Sequence, residues 1–249
     1  MAHRIFTPYE LNQLARATID SRSIMESDTR PVEYITGVVD FCGSQFICTP
    51  NTLIPRIETE ELVALVVDHC KLKIGSETLS ILDVGTGTGA IGISIAMLLP
   101  SAQVRLALAD ISENALSIAK QNKDRILAPE YAVTFHLSDL FENIPKQEFK
   151  VIVANLPYIF TDEMATLPDS VKNHEPHAAL DGGRQGNLLY HRFLDTVLAY
   201  SHPETAIFFE INERHTIEDI VCQRHAKYWT ADLIQDSFQK NRFLILKKK

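Results

Sequence analysis

Apolar residues along the 249-residue chain fall into two periods, and the switch between them predicts the elements. From residue 76 onward, short β-branched runs near 80–84, 104–109, 133–138, 149–154 and 205–211 alternate with helical patterns at 89–99, 112–123 and 187–200. The run Val151–Ala154 is apolar at every position, as expected of a strand covered on both faces of a parallel sheet. Such alternation predicts an α/β fold with a doubly wound, mostly parallel sheet. Tyr228–Ile234 and Arg242–Lys247 are joined only by a polar loop and are expected to close the chain as an antiparallel hairpin.

Upstream, Thr7-Pro8-Tyr9-Glu10 supplies an N-cap, a proline at the first helical position and a glutamate three residues after the cap. With Leu11, Leu14, Ala15 and Thr18 at helical spacing, this predicts a helix within 7–23. From Pro31 the pattern turns β-rich, and Gly37 and Gly43 interrupt it as a hairpin would. A helix is expected from about Glu58 to Cys70. The expected organisation is a short helical segment over 1–30, a β-hairpin and linking helix over 31–75, and the main α/β domain over 76–249.

Two loops at predicted strand ends carry candidate chemistry. In "ILDVGTGTGAIGISIA", Asp83 ends a strand, and Gly85, Thr86, Gly87, Thr88 and Gly89 link it to an apolar helix. Glycines there let the backbone turn sharply and approach a ligand. The loop also satisfies the dinucleotide spacing G-x-G-x-x-A through Gly85, Gly87 and Ala90, with Asp110 about 20 residues on. By spacing alone the nucleotide remains open. Asp110 closes the next strand, where its oxygens can accept from ribose hydroxyls or cap a helix. Asp139 and Leu140 follow the third strand on the same edge, where Asp139 can meet an adenine amino group or cap a turn. The phosphate-loop pattern fails for want of its GK[ST] ending, and Gly92–Ala96 falls inside a helix rather than on a nucleophile elbow. The second loop is Asn155-Leu156-Pro157-Tyr158, an amide, a rigid turn and an aromatic ring at the carboxyl end of a buried strand. In open α/β sheets that edge is where ligands sit.

Composition narrows the classes. A net charge of −8, with the one basic run at Lys247–Lys249, argues against a broad nucleic-acid surface. No apolar run approaches the roughly 18–20 residues of a membrane helix, and the N-terminus lacks a secretory layout, so a cytoplasmic location is expected. Cys42, Cys48, Cys70 and Cys222 form no CxxC and no evident zinc spacing with histidine, and read as free thiols. His174 and His177 flank a proline that breaks the helix such a ligand pair needs, so no metal is expected.

Taken together, "RPVEYITG", "TLIPRIETEELV", "DVGTGTGAIGISIA", Asp110, "SDLF", "NLPY", "EPHAALDGG", "GNLLYHRFL" and "NRFLIL" resemble the class I S-adenosylmethionine-dependent methyltransferases. Within them, the chain is most similar to the protein-glutamine N5-methyltransferases (the PrmC/HemK family) that modify peptide chain release factors. The resemblance runs from about Arg30 to the C-terminus. It implies a Rossmann-like catalytic domain over 76–249 and S-adenosyl-L-methionine as methyl donor, with S-adenosyl-L-homocysteine as product. It further implies that Asp83 and Gly85–Gly89 surround the methionine part, that Asp110 meets the ribose and that Asp139 and Leu140 lie beside the adenine. Asn155–Tyr158 would receive the substrate amide and border the cofactor at Asn155. A release factor is the implied partner, with no nucleic acid or membrane and a monomeric state.

Four departures from the family pattern stand out: Leu156 in place of a proline, Ile57 in place of a proline, Leu140 in place of an aromatic, and only about 30 residues before "RPVEY". Asn-Leu-Pro-Tyr also resembles the quartet of rRNA adenine dimethylases, which makes an adenine-N6 methyltransferase the first alternative. A nicotinamide-dependent oxidoreductase and a non-enzymatic cofactor-binding protein are the readings from other classes.

Overall fold

The computed structural model describes residues 4–73 and 78–249, so the expected boundary between residues 75 and 76 lies outside them. The chain starts with helix α1 (Pro8–Arg16) and the single-turn-plus helix α2 (Val32–Thr36), followed by the hairpin β1 (Val38–Phe41) and β2 (Ser44–Ile47) and helix α3 (Thr59–Lys73). Strand and helix then alternate through β3 (Leu79–Val84), α4 (Ala90–Met97), β4 (Val104–Asp110), α5 (Glu113–Ile126), β5 (Ala132–Leu137) and β6 (Phe149–Ala154). After α6 (Asp169–Lys172) and α7 (Leu188–Thr196) come β7 (Ser201–Glu210), the short helices α8 (Ile217–Ile220) and α9 (Gln223–Ala226), and the closing pair β8 (Trp229–Gln235) and β9 (Asn241–Lys248).

Among the described residues the main sheet has seven strands in the order β5-β4-β3-β6-β7-β9-β8. The first five are parallel, and β9 runs antiparallel to both of its neighbours. The expected doubly wound sheet and antiparallel closure are both present. Alternate residues of the central strands feed two cores on opposite faces. Ile81, Leu106, Val151 and Phe208 pack with α3, α4 and the hairpin. Leu82, Ala107, Ile152 and Phe209 pack with α7. Burial on both faces is why these strands read as continuous apolar runs.

Two segments differ from the sequence expectation. Residues 32–36, read as β-rich, form α2 instead. Val32 is buried with Leu14 and Ile24, the Tyr34 hydroxyl donates to the Thr52 carbonyl, and Gly37 ends the turn at a φ of 75°. Tertiary packing has overridden the β-branched propensity. The helix expected within 7–23 ends at Arg16, and Ser21–Ser23 is a separate 3-10 turn capped by Asp20.

Asn122 on α5 is fully buried and joins the hairpin to the glycine loop. Its amide donates to the carbonyls of Ile47 and Thr88, both at 2.9 Å, and its oxygen accepts from the Ile47 N–H at 2.7 Å. Asn122→Ala strands these backbone groups away from water. We expect it to lower the unfolding free energy by about 2–4 kcal/mol, read from the midpoint of urea denaturation.

Candidate active site

The sheet order reverses between β3 and β6, which are adjacent and parallel, and that crevice is where open α/β sheets take ligands. Val84 pairs with Ala154, so the glycine loop and the Asn155–Tyr158 turn leave the sheet side by side. Gly85, Gly87 and Gly89 all have positive φ (73°, 55° and 81°), which explains glycine at these positions. The N–H groups of Gly85 and Thr86 both donate to the Ala109 carbonyl, which ties the loop to the end of β4.

Asp83 lies beneath the loop with no exposed surface. Its Oδ2 accepts from the Thr86 hydroxyl at 2.6 Å and from the Gly92 N–H at 3.0 Å. Its Oδ1 is buried without a partner, an acceptor ready for a cationic or N–H donor in the loop. Thr88 is buried and its carbonyl accepts from Asn122.

Asp110 holds the Gly87 N–H on one oxygen and the Ser112 N–H on the other, each at 2.8 Å. A carboxylate has about four acceptor sites, so capacity remains for a hydroxyl donor. The cap of α5 is Ser112 rather than Asp110, because its side chain accepts from the Ala115 N–H. Burial raises the Asp110 pKa, and bonds from Ser112, Gly87 and Ile111 oppose the rise. The Ser138 N–H donates to the Asp110 carbonyl and brings the Asp139 loop alongside. Asp139 accepts from Arg192 at 2.9 Å, and Leu140 takes a positive φ of 49° while packing on the core. The donors and acceptors along this edge fit a nucleoside with a charged amino-acid end, as S-adenosylmethionine has.

On the other side of the crevice, Asn155 is half-buried, and among the described residues its carboxamide makes no hydrogen bond. Leu156 is buried, and its side chain lies 3.3 Å from where a Cβ on Gly85 would sit. Its carbonyl is 3.4 Å from the Tyr190 hydroxyl, which donates its single hydrogen to the nearer Glu210 carbonyl at 2.6 Å. The Leu156 carbonyl therefore keeps acceptor capacity. The Tyr158 hydroxyl donates to the Glu210 carboxylate at 3.1 Å. Pro157 and Tyr158 rest on the segment Leu180–Gly182, whose backbone exchanges bonds of 2.9 and 2.8 Å with Ile159. A Cβ on Gly182 would stand 2.6 Å from the Pro157 carbonyl oxygen, so close approach dictates glycine there. A cavity of about 180 Å³ opens on the turn, lined by Leu53, Arg56, Asn155, Tyr158, Leu167 and Leu180 among others.

Several residues at this site had no role in the sequence reading. Glu210, at the end of β7, is fully buried and accepts from Thr59 at 2.7 Å as well as from Tyr158. Burial pushes its pKa up against those two bonds. An acid closing an apolar strand on the same edge as Asp110 was the available signal. Glu175 joins "EPHAALDGG" to "TLIPRIETE" by accepting from Arg56 at 2.5 Å and from the Ile54 N–H at 3.2 Å. His174 and His177 turn to separate partners, Thr29 and the Lys172 carbonyl. All four cysteines are free thiols, as expected, and Cys222 and His225, three residues apart, lie near His191 from α7, a grouping the sequence reading did not include. A ligand from a distant helix leaves no local spacing to find.

A Rossmann-like crevice with a glycine loop, two acids along the same strand edge and an amide at the β6 end defines a class I methyltransferase fold. Residues 63–173 match the family described as "Methyltransferase small domain". The chain is 36% identical over 242 residues to the release factor glutamine methyltransferase of Leptospira interrogans, covering 95% of this chain and 81% of that protein. It is 34% identical over 223 residues to that of Bacillus subtilis, covering 88% and 75%. The chain belongs to the release factor glutamine methyltransferase family. Among solved structures, a ribosomal protein L11 methylase from Lactobacillus delbrueckii shares the fold with a TM-score of 0.54 at 16% identity, over 81% of this chain and 83% of that one. A magnesium protoporphyrin IX methyltransferase from Synechocystis does so at 0.53 and 14%, over 98% and 96%.

Two predictions follow from this geometry. Burial pushes the Asp83 carboxyl up to about 6 despite its bonds from Thr86 and Gly92. Between pH of about 4 and about 6 the folded state keeps a proton that the unfolded state has lost, so stability falls as pH rises, by up to about 3 kcal/mol. Asp83→Asn should flatten that part of the profile of denaturation midpoint against pH. Gly182→Ala places a methyl on the turn backbone, and calorimetry should find the protein less stable by about 1–3 kcal/mol.

Proposed function

We propose that the chain transfers the methyl group of S-adenosylmethionine to the side-chain amide nitrogen of a protein glutamine, and that this glutamine is the one in the Gly-Gly-Gln loop of peptide chain release factors. The observation that carries the reading is the pair of uncommitted acceptors, Asn155 Oδ1 and the Leu156 carbonyl, beside the glycine loop. The cofactor, when bound, supplies an electrophilic methyl on a sulfonium. Asp83 and Gly85–Gly89 would surround its amino-acid end, with Asp110 at the ribose and Asp139 and Leu140 at the adenine.

A carboxamide nitrogen is a poor nucleophile because its lone pair is delocalised over the carbonyl. Asn155 and Leu156 can hold its two hydrogens in place and stabilise the positive charge that develops as the methyl arrives. Neither residue has to act as a base. Tyr158, anchored through Glu210, presents its ring along the cavity wall, where a planar amide can stack. Alignment of the reacting atoms contributes most to such a transfer, and the clamp of Gly182 on the turn supplies rigidity.

Acidic surroundings favour a protein over a nucleic acid. The 660 Å³ cavity next to the turn is lined by Glu10, Glu33, Asp40, Glu58, Glu60 and Glu175 against Arg4 and Arg56. Glu175 already holds Arg56. A phosphate backbone finds no favourable field there. No helix among the described residues is long and apolar enough to cross a membrane. A release factor substrate would put the enzyme in the cytoplasm, acting as a monomer on its protein partner.

Incubation with methyl-labelled S-adenosylmethionine, offering a release factor and rRNA fragments separately, tests the substrate. Label on the glutamine supports the reading, and label on adenine overturns it. Asn155→Ala should lower turnover by about 10²–10³ while cofactor affinity changes little, because the lost acceptor acts mainly at the transition state. Equal losses in calorimetric affinity and in rate would assign Asn155 to cofactor binding or folding.

A further inference from the structure

We propose that His191, Cys222 and His225 form a binding site for one thiophilic divalent metal ion, zinc by its donor set, that pins α7 to α9 behind the active site. One ligand atom from each residue lies within 4.8 Å of the others. Cys222 Sγ and His225 Nδ1 are 3.4 Å apart. Tetrahedral zinc, with sulfur at about 2.3 Å and nitrogen at about 2.1 Å, separates such a pair by about 3.6 Å. That pair needs little movement to admit the ion, and His191 would close in from within 4.8 Å to complete the set.

The surroundings of His225 suit coordination. His225 Nε2 lies 2.8 Å from Asp195 Oδ1. In the neutral ring that donates from Nε2 to Asp195, the Nδ1 lone pair faces Cys222. The nearby Arg224 Nε, at 3.2 Å from Nε2, is itself a donor and cannot take the place of the carboxylate, whose other oxygen Arg224 Nη2 holds at 2.8 Å. A carboxylate behind a ligating histidine is the arrangement that orients metal-bound imidazoles. His191 supplies an independent sign, since its Nδ1 is buried with no hydrogen-bond partner.

Two imidazoles and a thiolate select zinc or cobalt over magnesium or calcium, with solvent completing the fourth position. The ion would fix α7 one residue from Tyr190, whose hydroxyl holds the Glu210 carbonyl beside the Asn155–Tyr158 turn. The site does not depend on which substrate that turn receives.

The test uses the full chain, stripped with a chelator and titrated with cobalt(II), followed by zinc(II) in competition with a chromophoric chelator. We expect one equivalent bound, a thiolate-to-cobalt charge-transfer band, and a higher melting temperature with zinc. C222S should abolish the band and the thermal shift, and D195N should weaken affinity by roughly 10–100-fold. H191A should weaken binding while the metal-free protein keeps its circular dichroism. Absence of the band in the wild type, or a band and stoichiometry unchanged in folded C222S or H191A, would overturn the site.

Discussion

A carboxylate cut off from water must be given donors, and Glu210 obtains them from two separate parts of the chain. Thr59 at the start of α3 and Tyr158 in the turn both donate to its side chain, while Tyr190 of α7 donates to its carbonyl. Leaving any of these groups unmet in the interior would cost more than the bond itself contributes. The position of the turn relative to β7, α3 and α7 is therefore set by polar satisfaction as much as by apolar packing. Arg242 of β9 adds a compensating positive charge nearby while it is itself held by Asp236.

Features carried by local sequence were legible. The central strands showed because both faces are covered, and the glycine loop showed because positive φ demands glycine. Asn155 emerges at the end of β6 as the apolar run required. Asp110 and Asp139 lie on the shared edge because successive parallel strands end there. What escaped depends on partners far along the chain. The role of Glu210 needs Thr59, 151 residues away, and the Glu175–Arg56 pair spans 119. Gly182 reads as an ordinary loop glycine until the Pro157 carbonyl is found against it. In α2, β-branched residues promised a strand, and only the burial of Val32 and Tyr34 explains the helix.

Leu156 shows how a departure from a family pattern can have a structural reason. In the proposed reading only the Leu156 carbonyl meets the substrate amide, so the side chain is free to serve packing. Here it is buried in the second core and reaches under Gly85, coupling the floor of the glycine loop to the turn. A proline would fix the backbone directly. Leucine instead holds the turn by filling space beneath it, while Gly182 presses from the other side.

Strand β9 lies inside the sheet although it follows both of its neighbours in the chain. Ala206–Glu210 of β7 pair with Phe243–Lys247, and β8 has no sheet neighbour other than β9. During synthesis, every residue of β7 and β8 is available before the strand that joins them. Until residues 241–248 arrive, β7 presents a bare apolar edge of the sort that recruits foreign strands. The order of translation thus opposes the order of the sheet, and the nascent chain passes through an interval in which none of its own strands covers that edge.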